Sequence, residues 1–208
     1  IEELKALLEK PEELPSPDSL YRVIGCLQCC ANGPTGIKRL IELDVASILI
    51  KIDTNVIDNE RTVITTEYLT SFCLACILNS PDFKNEELKV KVADKIAKCM
   101  STYTPENVRE VERESGFVWS IIKPFYSLTT STIEVVSEFG AFALANLSFL
   151  DMNRKLMVEE ELLNGMLCLR WSKNEAIRTK YAPIIVKNFG PQDPPSLKSI
   201  IELFMRQK

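Results

Sequence analysis

Four of the seven cysteines form two Cys-x-x-Cys pairs, a spacing at which thiolates can share a zinc ion. The pairs are Cys26 with Cys29 and Cys73 with Cys76. A structural zinc site needs four sulfurs in a tetrahedron, usually on turns, whereas both pairs fall within apolar runs that have helical spacing. We therefore expect these cysteines to pack between helices as small apolar residues, with zinc binding as the alternative.

Other catalytic and cofactor chemistry has little support. The chain contains no histidine, which removes the commonest general base, metal ligand and partner of a serine or cysteine nucleophile. Carboxylates cluster at residues 110–114 and 159–161, and such runs are typical of solvated helix ends. Neither a P-loop nor a dinucleotide-binding glycine motif occurs. We expect no enzymatic activity, no cofactor and no metal.

The bulk composition is that of an ordinary globular protein, with 208 residues, 46% apolar and 26% charged. The formal net charge is −4 and the basic residues are scattered, which argues against nucleic acid as a partner. Free cysteines in apolar patterns suit a reducing compartment, so we expect a cytoplasmic location, with the nucleus as the alternative. No apolar run reaches the roughly 20 residues that span a membrane.

Apolar residues recur every three or four positions, and strand-like alternation between hairpin turns is absent, so the sequence predicts an all-α protein. One helix begins at Asp18 or Ser19 and is stopped by Asn32-Gly33-Pro34. Two short helices in 36–52 meet near Asp44. The remaining predicted helices are 1–10, 60–79, 86–100, 105–114, 117–128, 131–149, 152–160, 162–170, 174–189 and 196–206.

An order of two short helices and one long helix recurs with a period of about 42 residues. Helical units that cannot close their own cores stack into a solenoid. We expect one domain over residues 1–208, excised from a longer protein, with units at 1–32 (partial), 36–80, 84–149, 152–189 and 196–208 (partial). The helix 86–100 is an insertion in this scheme. Its polar face, which contains Lys89, Lys91, Asp94, Lys95 and Lys98, is typical of a solvated surface, and a binding patch is the alternative.

The segments 141–148 (AFALANLS) and 183–189 (PIIVKNF) resemble the third helix of the armadillo repeat, with weaker matches at 24–30 and 71–77. The resemblance implies a right-handed α-α superhelix of about four irregular repeats, and HEAT repeats are the alternative label.

The armadillo pattern also has a glycine between its first two helices. Gly116 keeps this glycine, whereas Asp44 and Glu161 stand at the corresponding places.

In armadillo proteins the third helices line a concave groove, where an asparagine often holds the backbone of an extended peptide. The resemblance implies this role for Asn146 and Asn188, because an amide can donate and accept hydrogen bonds at once. Extending the alignment gives the full set of expected partner-binding residues, Leu69, Phe72, Phe139, Phe142, Asn146, Tyr181, Ile184 and Asn188. This apolar and aromatic stripe suits a partner helix or hydrophobic segment, and core packing is the alternative.

The sequence thus predicts a protein–protein interaction scaffold or adaptor that binds a peptide or helix of a partner protein. The alternative is a structural segment of a larger assembly, such as a cytoskeletal one, that forms homo-oligomers or stacks on neighbouring domains. Apolar residues near the ends, Leu4, Leu7 and residues 200–204, would serve that second role.

Overall fold

A computed structural model of the chain describes residues 1–54, 57, 60–102 and 122–190. Every regular element in these residues is helical, as the apolar spacing predicts. None of the described helices is long and apolar enough to cross a lipid bilayer. The α-helices are α1 (Glu2–Glu9), α2 (Pro17–Cys30), α3 (Pro34–Glu42), α4 (Val45–Leu49), α5 (Glu60–Leu78), α6 (Glu86–Ser101), α7 (Lys123–Leu128), α8 (Glu134–Leu147), α9 (Asp151–Glu159), α10 (Leu163–Cys168) and α11 (Ala182–Phe189).

Three shorter helical segments complete the described fold. Turns of 3-10 helix occur at Pro11–Glu13 and Leu169–Trp171, and a π-helical turn, Ile177–Tyr181, leads into α11. The helices predicted at 105–114 and 196–206, and the junction at Gly116, lie outside the described residues.

Local sequence signals set the helix boundaries. Pro34 occupies the first turn of α3, where no backbone N–H donor is needed. The Asn85 side chain caps α6 by accepting a 3.0 Å hydrogen bond from the Leu88 backbone N–H. The predicted regular helix at 174–189 instead contains the π-helical turn, in which the Ala182 N–H donates to the Ile177 carbonyl just before Pro183.

Two corners between short helices have left-handed backbone. Asp44, between α3 and α4, has φ 52°, and Glu161, between α9 and α10, has φ 59°. They are two of the three positions at which the armadillo resemblance implies a glycine, and the third, Gly116, lies outside the described residues. At Asp44 the side chain offsets part of the cost of the left-handed backbone, because its carboxylate accepts a 2.7 Å hydrogen bond from the Ser47 hydroxyl. Both corners thus have a backbone conformation that glycine adopts most easily, although neither residue is a glycine.

Replacing Glu161 by glycine is expected to raise the free energy of unfolding by about 0.5 kcal/mol. Left-handed backbone costs other residues about 1–2 kcal/mol, and the greater freedom of glycine in the unfolded chain offsets about half of that gain. Urea unfolding followed by circular dichroism measures the change. The control is Glu160→Gly, since the neighbouring Glu160 has φ −82° and should lose stability. Equal losses in the two variants would contradict the left-handed corner.

The longer helices form a row in which each contacts the next, in the order α2, α5, α6, α8 and the π-helical turn with α11. The helices α5 and α6 are antiparallel, and the Thr102 hydroxyl just after α6 hydrogen-bonds the Glu67 carboxylate in α5. The helices α6 and α8 run parallel, with Asn146 near the end of α8 bonded to Met100 near the end of α6. The predicted insertion is therefore part of the row and lies between α5 and α8.

The centre of the core is α5, which contacts α2, α3, α4, α6 and α7. Between Ile64 and Leu78 every side chain except that of Glu67 is buried. The ring of Tyr68 lies 6.4 Å from that of Phe125 in α7, centroid to centroid. The hydroxyls of Thr70 and Ser71 bond carbonyls one turn earlier in the same helix, so the surrounding helices cover α5 on several sides without leaving these groups unpaired.

Candidate partner-binding cleft

A cleft of about 660 Å³ lies over the outer face of α6. Its floor is formed by α6, one side by the end of α4 and the residues after it, and the other by the start of α8. The helix is held from behind, because its opposite face is buried against its neighbours through Val92, Ala93 and Ile96. Its residues 90, 91, 94, 95 and 98 recur at three- and four-residue spacing and thus share the face that lines the cleft.

Exposed apolar side chains line one part of this cleft. Val90 on α6 and Val135 on α8 keep 40% and 41% of their surfaces exposed, and Phe139, one turn after Val135, is half-buried. Apolar side chains gathered in a concave site are a mark of binding surfaces, whereas scattered ones are ordinary. These three residues form an apolar patch, and the half-buried Ile50 and Ile52 add apolar surface on the other side of the cleft.

Charged side chains line the remainder, and the basic ones are in excess. Lys51 and Lys98 are exposed and make no ion pair with any described residue. The lining contains four lysines and two aspartates, namely Lys51, Lys91, Lys95, Lys98, Asp53 and Asp94. The cleft is locally positive in a chain whose net charge is −4.

Two of these lysines also have contacts within the protein. The Lys95 ammonium donates a 2.7 Å hydrogen bond to the Ile52 carbonyl, which ties the residues after α4 to α6. The Lys91 ammonium lies 2.6 Å from the Glu87 carboxylate, one turn earlier on α6, and both side chains are more than half exposed. Lys95 therefore fixes one wall of the cleft, whereas the exposed Lys91 pair is worth little and can exchange for another anion.

A second cleft of about 750 Å³ lies between α1 and α4. Its lining is mostly apolar and includes Leu8, Leu14, Leu20 and Ile48. The two clefts share Lys51, Ile52 and Asp53 as lining residues. They therefore adjoin at the end of α4.

Three of the predicted partner-binding residues are in the core. Leu69 and Phe72 are buried in α5, with Phe72 only 2% exposed, because this helix is covered on several sides. Tyr181 is also buried, and its hydroxyl donates a 3.5 Å hydrogen bond to the Glu138 carboxylate. The expected continuous stripe from α5 to α11 is not formed, since α6 lies between α5 and α8.

The other five predicted residues, Phe139, Phe142, Asn146, Ile184 and Asn188, are half-buried on α8 and α11. Of these, Phe139 alone is among the described residues that line the cleft over α6. Phe142 packs against Tyr181, with ring centroids 5.8 Å apart.

The two asparagines join neighbouring helices of the row. The Asn146 amide donates a 2.8 Å hydrogen bond to the Met100 carbonyl, and the Asn188 amide donates a 2.8 Å bond to the Ser148 hydroxyl. In both cases the acceptor lies at the end of the preceding long helix. Each asparagine thus bonds the helix that precedes its own in the row, one at a main-chain carbonyl and the other at a side-chain hydroxyl.

The two cysteine pairs occupy different environments. Cys26 and Cys29 are exposed, whereas Cys73 and Cys76 are buried in α5. Burial raises the pKa of the Cys76 thiol to about 12, and burial with nearby cysteines raises the pKa of Cys73 as well. Among the described residues no cluster of three or more cysteine or carboxylate side chains is placed to hold a metal ion.

From the sequence, Lys91, Lys95 and Lys98 are expected on a solvated helix face, and the aliphatic part of the cleft lining is not predicted. The stripe Lys91, Lys95 and Lys98 is visible as i, i+4, i+7 spacing, but a solvated helix face gives the same pattern. The distinguishing fact is tertiary, because Val135 on α8 comes to lie beside this face. In the sequence, the valine Val90 stands beside these lysines, and its exposure on the same face is known only from the structure.

No protein-family model matches the chain, and no curated protein matches it. Two crystal structures of engineered proteins from the Northeast Structural Genomics Consortium align with it, each at 16% sequence identity. One has a TM-score of 0.44 and covers 96% of this chain and 86% of its own. The other has a TM-score of 0.38 and covers 89% of this chain and 96% of its own. Scores this low support no conclusion about fold or function.

Proposed function

We propose that the chain is a non-enzymatic protein-interaction scaffold of armadillo-like repeats that binds a peptide or helix of a cytoplasmic partner in the cleft over α6. The observation that supports this most is the grouping of Val90, Val135 and Phe139, partly exposed, in one concave site. Leaving apolar surface in water is unfavourable, and a partner segment that covers these side chains removes that cost.

The armadillo-like part of the proposal is supported by recurring local features. The corners at Asp44 and Glu161 have the backbone that glycine adopts in the repeat pattern. Asn146 and Asn188 each bond the preceding long helix near its end. The two asparagines are one predicted repeat apart in the sequence, as expected for stacked units that share one core.

The cleft is built on elements that the protein already holds in place. The Lys95 ammonium fixes the residues after α4, and Asn146 fixes the end of α8 against α6. Both contacts join separate helices at good hydrogen-bond distances, 2.7 and 2.8 Å. Because the surface is formed before binding, the cost of ordering falls mainly on the ligand.

Selection of a random peptide display library on the complete 208-residue chain tests the proposal. We expect enriched peptides whose binding is weakened by about 1–3 kcal/mol in Val135→Asp, because the new carboxylate would be placed against apolar ligand atoms. Fluorescence polarisation with the labelled peptides measures the affinity.

The matched control is Val158→Asp on α9, because Val158 has nearly the same exposure, 38%, and is not among the lining residues of either cleft. Both substitutions lie at exposed helix positions and should leave the unfolding midpoint nearly unchanged. A library from which no peptide is enriched, or equal binding losses in the two variants, would contradict binding in this cleft.

A further inference from the structure

Building on the proposed function, we infer that the segment bound in the cleft over α6 is acidic and carries aliphatic or aromatic side chains. The lining contains both required parts, an apolar patch of Val90, Val135 and Phe139 and a stripe of lysines beside it. An acidic amphipathic peptide satisfies both, because its apolar face covers the patch while its carboxylates approach the ammonium groups.

The lysines are placed on the floor of the cleft and on one of its two sides. Lys91 and Lys98 stand two turns apart on the floor, α6, and Lys51 lies on the side formed by the residues after α4. A helical ligand of two to three turns, or an extended ligand of the same length, therefore meets positive charge along its length. Lys98 and Lys51 lack an ion pair among the described residues, so their charges are available to a ligand.

The same cleft is less suited to the other polyanions. Nucleic acid requires several phosphate contacts from a dense basic surface, and this lining also contains Asp53 and Asp94 beside its valines. Aliphatic side chains without an exposed aromatic platform of several rings offer little to stacked bases. A peptide can place its apolar residues on the valines and keep its carboxylates away from the two aspartates.

The composition of the peptides enriched on the complete chain tests this inference. Aspartate and glutamate should be enriched over the starting library, together with at least one leucine, phenylalanine or tryptophan per peptide. Exchange of the acidic residues for glutamine in the best binder should weaken its binding about tenfold. Raising the salt from about 50 to about 500 mM should weaken the acidic peptide and spare its glutamine version, since exposed charges are screened.

Charge reversal on the protein supplies the complementary measurement. The double variant Lys91→Glu/Lys98→Glu should bind the acidic peptide about tenfold more weakly or worse, because attraction becomes repulsion. The matched control is Lys155→Glu/Lys173→Glu, which makes the same change in net charge at exposed lysines outside both clefts. Binding by this control should stay within about twofold of the parent.

The outcomes separate this inference from the proposed function. Enriched peptides that are neutral or basic, yet lose affinity in Val135→Asp, would overturn the acidic partner and leave the binding cleft in place. An acidic peptide whose affinity is unchanged in Lys91→Glu/Lys98→Glu would also overturn the acidic partner. If a labelled single-stranded oligonucleotide binds more tightly than the acidic peptide and loses this binding in the double variant, the lysines would be assigned to nucleic acid instead. Absence of any enriched peptide would remove both the inference and the proposed function.

Discussion

Replacing Phe72 by alanine is expected to lower the free energy of unfolding by about 4 kcal/mol, because it opens a cavity in the middle of the core. The side chain is 2% exposed and lies on α5, which other helices cover on several sides. Surrounding side chains cannot collapse into the space without moving those helices. Urea unfolding followed by circular dichroism measures the loss.

The matched control for this prediction is Phe142→Ala. The armadillo resemblance gives Phe72 and Phe142 the same position on successive third helices, but Phe142 is half-buried and packs mainly against Tyr181. Part of its surface already faces water, so we expect a loss of about 1–2 kcal/mol. Equal losses in the two variants would show that α5 is no more central than α8.

The difference between these two phenylalanines marks the limit of what local sequence pattern can predict. Spacing of apolar residues predicted the described helices because each helix is specified by its own residues and caps. The position of α6 within the row is not encoded in that spacing. That position depends on which faces of the helices contact each other. The same spacing of apolar residues occurs in a helix whose other face is solvated and in one whose other face is buried.

One signal for the centre of the core was nevertheless present in the sequence. The stretch from Ile64 to Leu78 contains a single charged residue, Glu67, and hydroxyl side chains such as those of Thr70 and Ser71 can bond carbonyls of their own helix instead of water. A helix that lines a groove turns part of its surface toward solvent. A helix with so few charged residues is instead expected to be covered by other helices. Composition of this stretch therefore favours Leu69 and Phe72 as core residues over groove residues.

The candidate cleft could be predicted only in pieces. The sequence shows the lysine stripe on α6 and an apolar start to α8, and it selected Phe139 from the repeat alignment. It does not show that Val135 and Val90 lie on one surface, because about 45 residues separate them and their approach depends on parallel packing of α6 and α8. A site formed between helices of different units always depends on how those helices pack against each other.

Replacing Gly36 by alanine is expected to lower the free energy of unfolding by about 3 kcal/mol, through a clash that no side-chain rotation relieves. An added Cβ would lie 1.9 Å from the Cys30 carbonyl oxygen and 2.8 Å from its carbon. Both atoms belong to the backbone of α2, so the start of α3 would have to move away from the end of α2. Urea unfolding measures the cost.

The control for Gly36 lies three residues earlier. A Cβ added at Gly33 meets nothing within 4 Å, and its φ of −136° is open to any residue. Gly33 is the N-cap of α3, where alanine is less favourable than glycine, whereas alanine has less freedom in the unfolded chain, so Gly33→Ala should change the free energy of unfolding by less than about 1 kcal/mol. Similar losses in both variants would contradict the close crossing of α2 and α3. By sequence alone, Gly33 in Asn32-Gly33-Pro34 is the glycine that ends a helix, yet the crossing makes Gly36 the one that cannot be replaced.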